Sequence, residues 1–285
     1  MNILVTGANG QLGSELRLLA PEHPAHTFHF TDVEELDITD AEAVRQFVKD
    51  NAIEALINCA AFTAVDKAES QPDLCRRLNA EAPRLLAGAM QAVGGYMIHV
   101  STDYVFDGTA HTPYSEEAPT CPASVYGHTK LAGEQAVVQA CPASVIVRTA
   151  WLYSPFGNNF VKTMLRLGHE RADLGVIADQ IGTPTYAADL AAALLTIVEK
   201  GPVAGIYHFT DEGACSWYDF TCEIHRQAGI TSCHVRPLHT EEYPTPAARP
   251  HYSVLDKTKI KQTYGISIPW WPESLSKCIK RLGEI

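Results

Sequence analysis

Three glycines spaced three residues apart follow an apolar segment at the start of the chain. The apolar segment predicts a strand at 2–6, and a helix is predicted to follow at 11–20. In such a turn the first glycine permits the tight bend, the second lets the backbone approach a pyrophosphate, and the third lets the helix pack against the strand. The residues expected to line a dinucleotide site here are Gly7, Gly10, Gln11, Leu12 and Gly13.

Short strands alternate with amphipathic helices through the first half of the chain. The predicted strands are 2–6, 27–31, 55–58, 96–101 and 144–149, and the predicted helices are 11–20, 40–51, 73–92 and 125–140. This order predicts an α/β fold with a doubly wound parallel sheet of the Rossmann type in residues 1–150. We expect residues 151–285 to hold the remaining sheet elements, interleaved with a smaller α/β substrate-binding lobe. The elements predicted there are helices at 159–170, 187–200 and 217–228 and a strand at 205–209.

Composition excludes several other classes of protein. The formal net charge of the 285 residues is −11, from 22 Lys and Arg against 33 Asp and Glu, so no nucleic-acid partner is expected. The chain opens on a strand and not on a signal peptide, and no run approaches the ~20 apolar residues of a membrane helix. Eight scattered cysteines predict free thiols in the cytoplasm, and the 12 histidines show no metal-ligand spacing.

Residues after the second and third strands extend the predicted cofactor site. Asp32 lies about 20 residues past the glycines, where a carboxylate accepts hydrogen bonds from the adenosine ribose and repels a 2′-phosphate. This position favours NADH over NADPH. Asp37 and Ile38 are expected at the adenine end, and the small residues that precede and include Ala61 let the chain pass close to a cofactor.

A tyrosine and a lysine lie four residues apart on the predicted helix at 125–140. Tyr126 and Lys130 therefore share one helix face. A phenol with a pKa near 10 transfers protons poorly at neutral pH unless a cation lowers that pKa, and Lys130 is placed to do so while holding the nicotinamide ribose. Thr102, at the end of the fourth strand, is placed to bind the carbonyl oxygen that Tyr126 protonates.

With these features, the chain resembles the extended short-chain dehydrogenase/reductases, and more closely the dTDP-4-dehydrorhamnose reductase family. The resemblance runs nearly from end to end. Its most specific parts are the runs Thr-Ala-Val-Asp-Lys-Ala-Glu at 63–69 and Thr-Asp-Tyr-Val-Phe-Asp-Gly at 102–108. The other matching segments are 2–7, 10–13, 126–130, 148–153, 157–160, 179–185 and 243–250.

The resemblance implies a reaction and a set of roles. NADH or NADPH would reduce the C4 keto group of dTDP-6-deoxy-L-lyxo-4-hexulose, with Tyr126 as the proton donor and Lys130 as its partner. The implied substrate contacts are Thr102, Asp103, Trp151, Asn159 and Arg249, the last at the diphosphate. The implied cofactor contacts include Ala61, Phe62 and Thr63. Relatives often form homodimers, sometimes with Mg²⁺ at the interface, but the sequence itself supports no metal site.

Three alternatives stay open at this point. A nucleotide-sugar dehydratase would carry Glu after the strand-end Thr-Asp pair, where this chain has Tyr104. An epimerase is disfavoured by the family-specific runs, and a non-catalytic regulatory relative by the intact set of Thr102, Tyr126 and Lys130. One departure from the family follows Arg249 and Pro250: Tyr252 stands where relatives commonly have Asn, which alters the expected nucleotide contacts.

Overall fold

The computed structural model describes residues 1–283 and contains a central sheet of six parallel strands. The strands lie in the order β2–β1–β3–β4–β5–β10. They are β1 (Asn2–Thr6), β2 (Thr27–Thr31), β3 (Ala55–Asn58), β4 (Tyr96–Thr102), β5 (Val145–Thr149) and β10 (Gly205–His208). Chain order reverses at β1, which pairs with both β2 and β3, so a crevice opens there at the carboxyl ends of the strands.

Helices cover both faces of this sheet, which confirms the doubly wound α/β prediction. Side chains alternate along β1: Ile3 and Val5 pack towards the helices at 11–19 and 187–200, whereas Leu4 packs towards those at 41–50, 82–92 and 125–140. The helices are α1 (Gln11–Leu19), α2 (Ala41–Asp50), α3 (Val65–Ser70), α4 (Pro72–Arg76), α5 (Ala82–Ala92), α6 (Val125–Ala140), α7 (Phe160–Glu170), α8 (Ala187–Lys200), α9 (Trp217–Gln227), α10 (Thr258–Tyr264) and α11 (Trp271–Leu282).

Three two-stranded sheets belong to the second half of the chain. They pair β6 (Leu152–Tyr153) with β9 (Thr185–Tyr186), β7 (Asp173–Ile177) with β12 (His234–Leu238), and β8 (Ile181–Gly182) with β11 (Cys215–Ser216). A separate apolar cluster joins them to α7, α9 and α11 around Phe220 and Trp271. The domain boundary at residue 150 remains a prediction. Strand β10 of the main sheet lies beyond that boundary in the chain. Within residues 1–283, no helix combines the length and apolarity needed to cross a membrane.

The predicted helix at 73–92 is interrupted in the structure. Two helices, α4 and α5, are joined there by a π-helical turn at Arg77–Glu81. The side chain of Asn79 in this turn bonds the backbone of Phe62, and an added Cβ at Gly133 of α6 would lie only 2.0 Å from the Asn79 carbonyl oxygen. The wider turn therefore brings the helix backbone against α6 and holds the loop that follows β3.

Candidate active site

A cleft of about 700 Å³ lies at the carboxyl ends of the central strands. It brings together most of the residues that the sequence singled out, from six separate segments of the chain. The predicted site residues that line it are Gly7, Gly10, Gln11, Leu12, Asp32, Asp37, Ile38, Ala61, Thr63, Thr102, Asp103, Tyr126, Lys130, Trp151 and Asn159. Lining residues that the sequence reasoning missed include Leu78 and Trp217.

The glycine turn brings backbone close to backbone. Gly7 has a φ of +67°, and a Cβ added there would lie 2.6 Å from the Ala60 nitrogen. Gly13 lies outside the cleft lining, and a Cβ added there would lie 2.5 Å from Ala8 Cα, so this glycine lets α1 pack on the turn. Gly10 caps α1 without a side chain. The first-turn amide groups of α1 therefore stay open to a ligand, and this arrangement fits the pyrophosphate of a dinucleotide.

Asp32 is tied to this turn by hydrogen bonds. Its two carboxylate oxygens accept from the backbone nitrogens of Asn9 (3.0 Å) and Val33 (2.9 Å). Asp37 accepts from both the backbone and the hydroxyl of Thr39, which lowers the pKa of the Asp37 carboxyl. Two negative charges therefore stand at the end of the cleft beside β2.

Tyr126 lies at the centre of the cleft with only 8% of its surface exposed. Burial raises the pKa of its phenol, and a hydrogen bond with Thr102 acts in the opposite direction. The phenol is therefore protonated at neutral pH, which is the state a proton donor needs. The sequence predicts that Lys130 lowers the pKa of the Tyr126 phenol. The structure shows a raised pKa instead, because the removal of the phenol from water outweighs its hydrogen bond with Thr102.

Lys130 is almost fully buried, one helical turn beyond Tyr126. Its Nζ donates to the carbonyl oxygen of Val100 at 2.7 Å, and burial lowers the pKa of the ammonium to about 8. The nearby Glu134 carboxylate works against this shift. Lys130 thus carries its positive charge below about pH 8 and loses it above that value.

Thr102 is the last residue of β4, and Asp103 follows it inside the cleft. The Thr102 hydroxyl donates to Asp103 Oδ1 at 3.1 Å and accepts from the backbone of Tyr104. Burial raises the pKa of Asp103 to about 6, against the hydrogen bonds from Ser253 and Thr102. Its other oxygen, Oδ2, has no hydrogen-bond partner within the described part of the chain. An acceptor in this position is suited to a sugar hydroxyl.

A buried ion pair, which the sequence reasoning missed, holds the elements that carry Thr102, Tyr126 and Lys130. Arg148 of β5 binds both oxygens of Glu134 at 2.9 and 2.7 Å, and both side chains are 2% exposed. Ser101, which precedes Thr102, donates to the same carboxylate at 2.5 Å. The pair therefore ties α6, which carries Tyr126 and Lys130, to the ends of β4 and β5. The sequence did contain a signal for this pair: an arginine stands within the apolar run of β5. A charged side chain that is buried in a strand requires a partner of opposite charge.

Asn159 lines the cleft, whereas Phe62 and Arg249 lie outside its lining. Asn159 caps α7 and donates to Gln11 Oε1 at 2.9 Å, which links the lobe to the start of α1. Phe62 lies outside the lining and is held through its backbone by Asn79. Arg249 also lies outside the lining, in a 2.8 Å ion pair with Asp66. Residues 1–283 contain no group of three His, Cys, Asp or Glu side chains that could hold a metal ion.

The fold and the site define a class of protein. A Rossmann-type sheet whose glycine turn and Tyr126–Lys130 pair face one cleft is the arrangement of a nicotinamide-dependent short-chain dehydrogenase/reductase. Residues 1–284 match the model of the RmlD substrate binding domain family. The chain belongs to this family.

Relatives of known name agree over nearly the full length. A dTDP-4-dehydrorhamnose reductase of Escherichia coli K12 is 42% identical over 294 residues, covering 99% of this chain and 98% of that protein. A crystal structure of such a reductase from Clostridium acetobutylicum has a TM-score of 0.96 and 47% identity, covering 99% of this chain and 100% of that one. A dTDP-4-dehydrorhamnose reductase from Bacillus anthracis, solved in complex with NADP, has a TM-score of 0.93 and 40% identity, covering 98% of this chain and 99% of that one.

A dTDP-glucose 4,6-dehydratase from Streptomyces venezuelae also shares the fold, with a TM-score of 0.83. Its sequence identity is 20%, over 100% of this chain and 97% of that one. At this identity the likeness extends to the fold alone, because the same fold supports several chemistries.

Proposed function

We propose that the protein is a reductase that uses NADH or NADPH to convert the C4 keto group of dTDP-4-dehydro-L-rhamnose to the alcohol of dTDP-L-rhamnose. The observation that carries this proposal is the buried, protonated phenol of Tyr126 beside Thr102, in the cleft into which the glycine turn opens. The near-full-length identity with named dTDP-4-dehydrorhamnose reductases supports the choice of substrate.

The nicotinamide cofactor supplies the hydride when it is bound. The start of α1 would hold its pyrophosphate, Asp32 its adenosine ribose and Lys130 its nicotinamide ribose. Reduction of a ketone places negative charge on the carbonyl oxygen. Tyr126 then donates its phenolic proton to that oxygen, while the Thr102 hydroxyl bonds the same atom and the Lys130 ammonium stabilises the phenolate left behind.

The sugar nucleotide would lie against the second half of the chain. Asp103 offers its unpartnered oxygen to a hydroxyl, and Trp151 and Asn159 line the same cleft. Arg249 Nη1 is buried and has no hydrogen-bond partner among the residues described, which suits a diphosphate oxygen. The Tyr104 ring meets Tyr126 edge-on at 5.4 Å and fills the place where a dehydratase would need its base.

Parallel incubations test this proposal. With NADH and the keto-sugar nucleotide, we expect oxidation of NADH and formation of dTDP-L-rhamnose. With dTDP-glucose alone, no 4-keto-6-deoxy product should form. Conversion of dTDP-glucose, or interconversion of sugar epimers without net NADH oxidation, would replace the reductase by a dehydratase or an epimerase, and inactivity in all incubations would favour a regulatory relative.

Localisation and oligomeric state are also proposals. The eight unbridged cysteines are suited to the reducing cytoplasm, where we place the protein. We further propose a homodimer, which sedimentation of the purified protein would test.

Cofactor choice depends on the charge of Asp32. Two like charges about 4 Å apart repel by ~1 kcal/mol in water and by more near a protein surface, so the carboxylate disfavours a 2′-phosphate. We expect Asp32→Ala to shift the ratio of kcat/KM for NADPH over NADH upward by about 10-fold. Asp32→Asn should shift this ratio in the same direction, while its amide oxygen can still accept the hydrogen bond from the Asn9 backbone nitrogen.

Steady-state kinetics with both cofactors measure this shift. Glu34→Ala is the matched control, since Glu34 is exposed on the same loop and lies outside the cleft lining. An unchanged ratio in both Asp32 variants, or a wild type that accepts NADPH alone, would show that Asp32 does not face the adenosine ribose.

A further inference from the structure

Two indole rings are stacked across the substrate end of the cleft. The ring centroids of Trp151 and Trp217 are 3.5 Å apart, with 10° between the ring planes, and both residues line the cleft. Trp151 follows β5 of the central sheet, whereas Trp217 is the first residue of α9. The stack therefore joins the main sheet to the smaller lobe at the place where the sugar would enter.

Trp151 is fixed in position by its backbone and by its neighbours. Its φ of +48° lies in the left-handed region, which is unusual for a bulky residue and clusters at ligand sites. A Cβ added to Gly182 would lie 2.6 Å from Cε2 of the indole, so only a glycine backbone fits against the ring. Gly182 pairs with Cys215 across β8 and β11, and Trp217 follows β11 directly. One small sheet thus supplies both contacts to the indole.

The geometry of the stack is not the one that aromatic rings prefer. Aromatic pairs favour offset or edge-to-face arrangements with centroids about 4.5–7 Å apart, whereas these two rings overlap almost fully. On its other flank Trp217 meets Phe160 at 4.5 Å and 50°. Trp217 is only partly buried, and its backbone is already held by the capping box of Ser216 and Asp219, so its side chain can turn while the helix stays in place.

A sugar ring packs on an aromatic side chain through the broad face of that ring. In this structure the broad face of Trp151 is covered by the indole of Trp217. We propose that Trp217 is an aromatic gate, whose indole takes the place on Trp151 that the deoxyhexose ring of the nucleotide sugar occupies when it binds. Binding turns Trp217 away and exchanges an overlapped indole pair for contact with the apolar face of the sugar. This inference rests on the proposed function for the identity of the sugar.

The stacked pair has its own spectroscopic signature. Two indoles in close contact couple their electronic transitions and give a bisignate circular dichroism band, which isolated tryptophans lack. Trp217→Leu and Trp151→Phe should each remove this band. Trp270→Phe is the control that should retain it, because Trp270 is 55% exposed and lies outside the cleft lining.

The decisive experiment titrates wild-type protein with dTDP-L-rhamnose and follows this band alongside calorimetric binding. We expect the band to disappear in step with saturation, and Trp217→Leu to bind dTDP-L-rhamnose about 2- to 10-fold more tightly, because no aromatic pair has to be broken. A band that persists at saturation, or weaker binding by Trp217→Leu, overturns the gate alone. No binding by the wild type overturns the proposed function and the gate with it.

Discussion

We expect Tyr126→Phe to lower kcat by about 10²–10⁴-fold with little change in cofactor affinity or melting temperature. The substitution keeps the buried ring and its edge-on contact with Tyr104, and removes only the hydroxyl that would donate the proton. General acid catalysis contributes a factor of about this size, or ~3–5 kcal/mol of barrier. The effect belongs to the chemical step, so it should be present in a single turnover.

Tyr153→Phe is the matched control for this variant. Tyr153 is also fully buried, but it lies outside the cleft lining, and its hydroxyl has no hydrogen-bond partner in the described part of the chain. Removal of that hydroxyl should leave the rate unchanged. If the single-turnover rate of Tyr126→Phe stays within about threefold of wild type, Tyr126 is not the general acid.

The second large effect concerns stability. Arg148→Met should lower the free energy of unfolding by about 3–5 kcal/mol, because it removes the guanidinium that binds both oxygens of the buried Glu134 carboxylate. Ser101 would remain as a hydrogen-bond donor but carries no charge. The double variant Arg148→Met/Glu134→Leu should recover much of the loss, since an apolar replacement of a buried pair is often close to neutral.

Urea unfolding followed by circular dichroism measures these differences. Arg166→Met is the control, because Arg166 forms a 2.6 Å pair with Glu170 in which both side chains are more than half exposed. Its loss should cost no more than about 1 kcal/mol. Equal effects of Arg148→Met and Arg166→Met would mean that the buried pair does not support α6 and β5 as described.

The central sheet and the cleft could be predicted because their signals are local. Apolar strands, amphipathic helices and the glycine turn each lie within a few residues of sequence, and the doubly wound order follows from their alternation. The carboxyl ends of parallel strands meet at one edge, so Thr102 and Asp32 were placed near the glycine turn without knowledge of distances.

Features that depend on distant residues could not be predicted in this way. The π-helical turn at Arg77–Glu81 reflects the contact of Asn79 with Phe62 and α6, which no local periodicity encodes. Helix α11 was missed, although its apolar residues pack in the lobe. The sequence assigned Trp217 to a helix but did not place it at the cleft. Its stacking on Trp151 arises from the pairing of β8 with β11, which brings distant segments together.

Transfer of isotope from cofactor to sugar tests the central claim most directly. The protein would be incubated with dTDP-4-dehydro-L-rhamnose and NADH that carries deuterium at the transferable position of the nicotinamide. We predict dTDP-L-rhamnose with deuterium at C4 of the sugar, in an amount equal to the NADH oxidised. Failure to consume the keto-sugar, or a product without deuterium at C4, would contradict the assignment of this protein as a C4 ketoreductase.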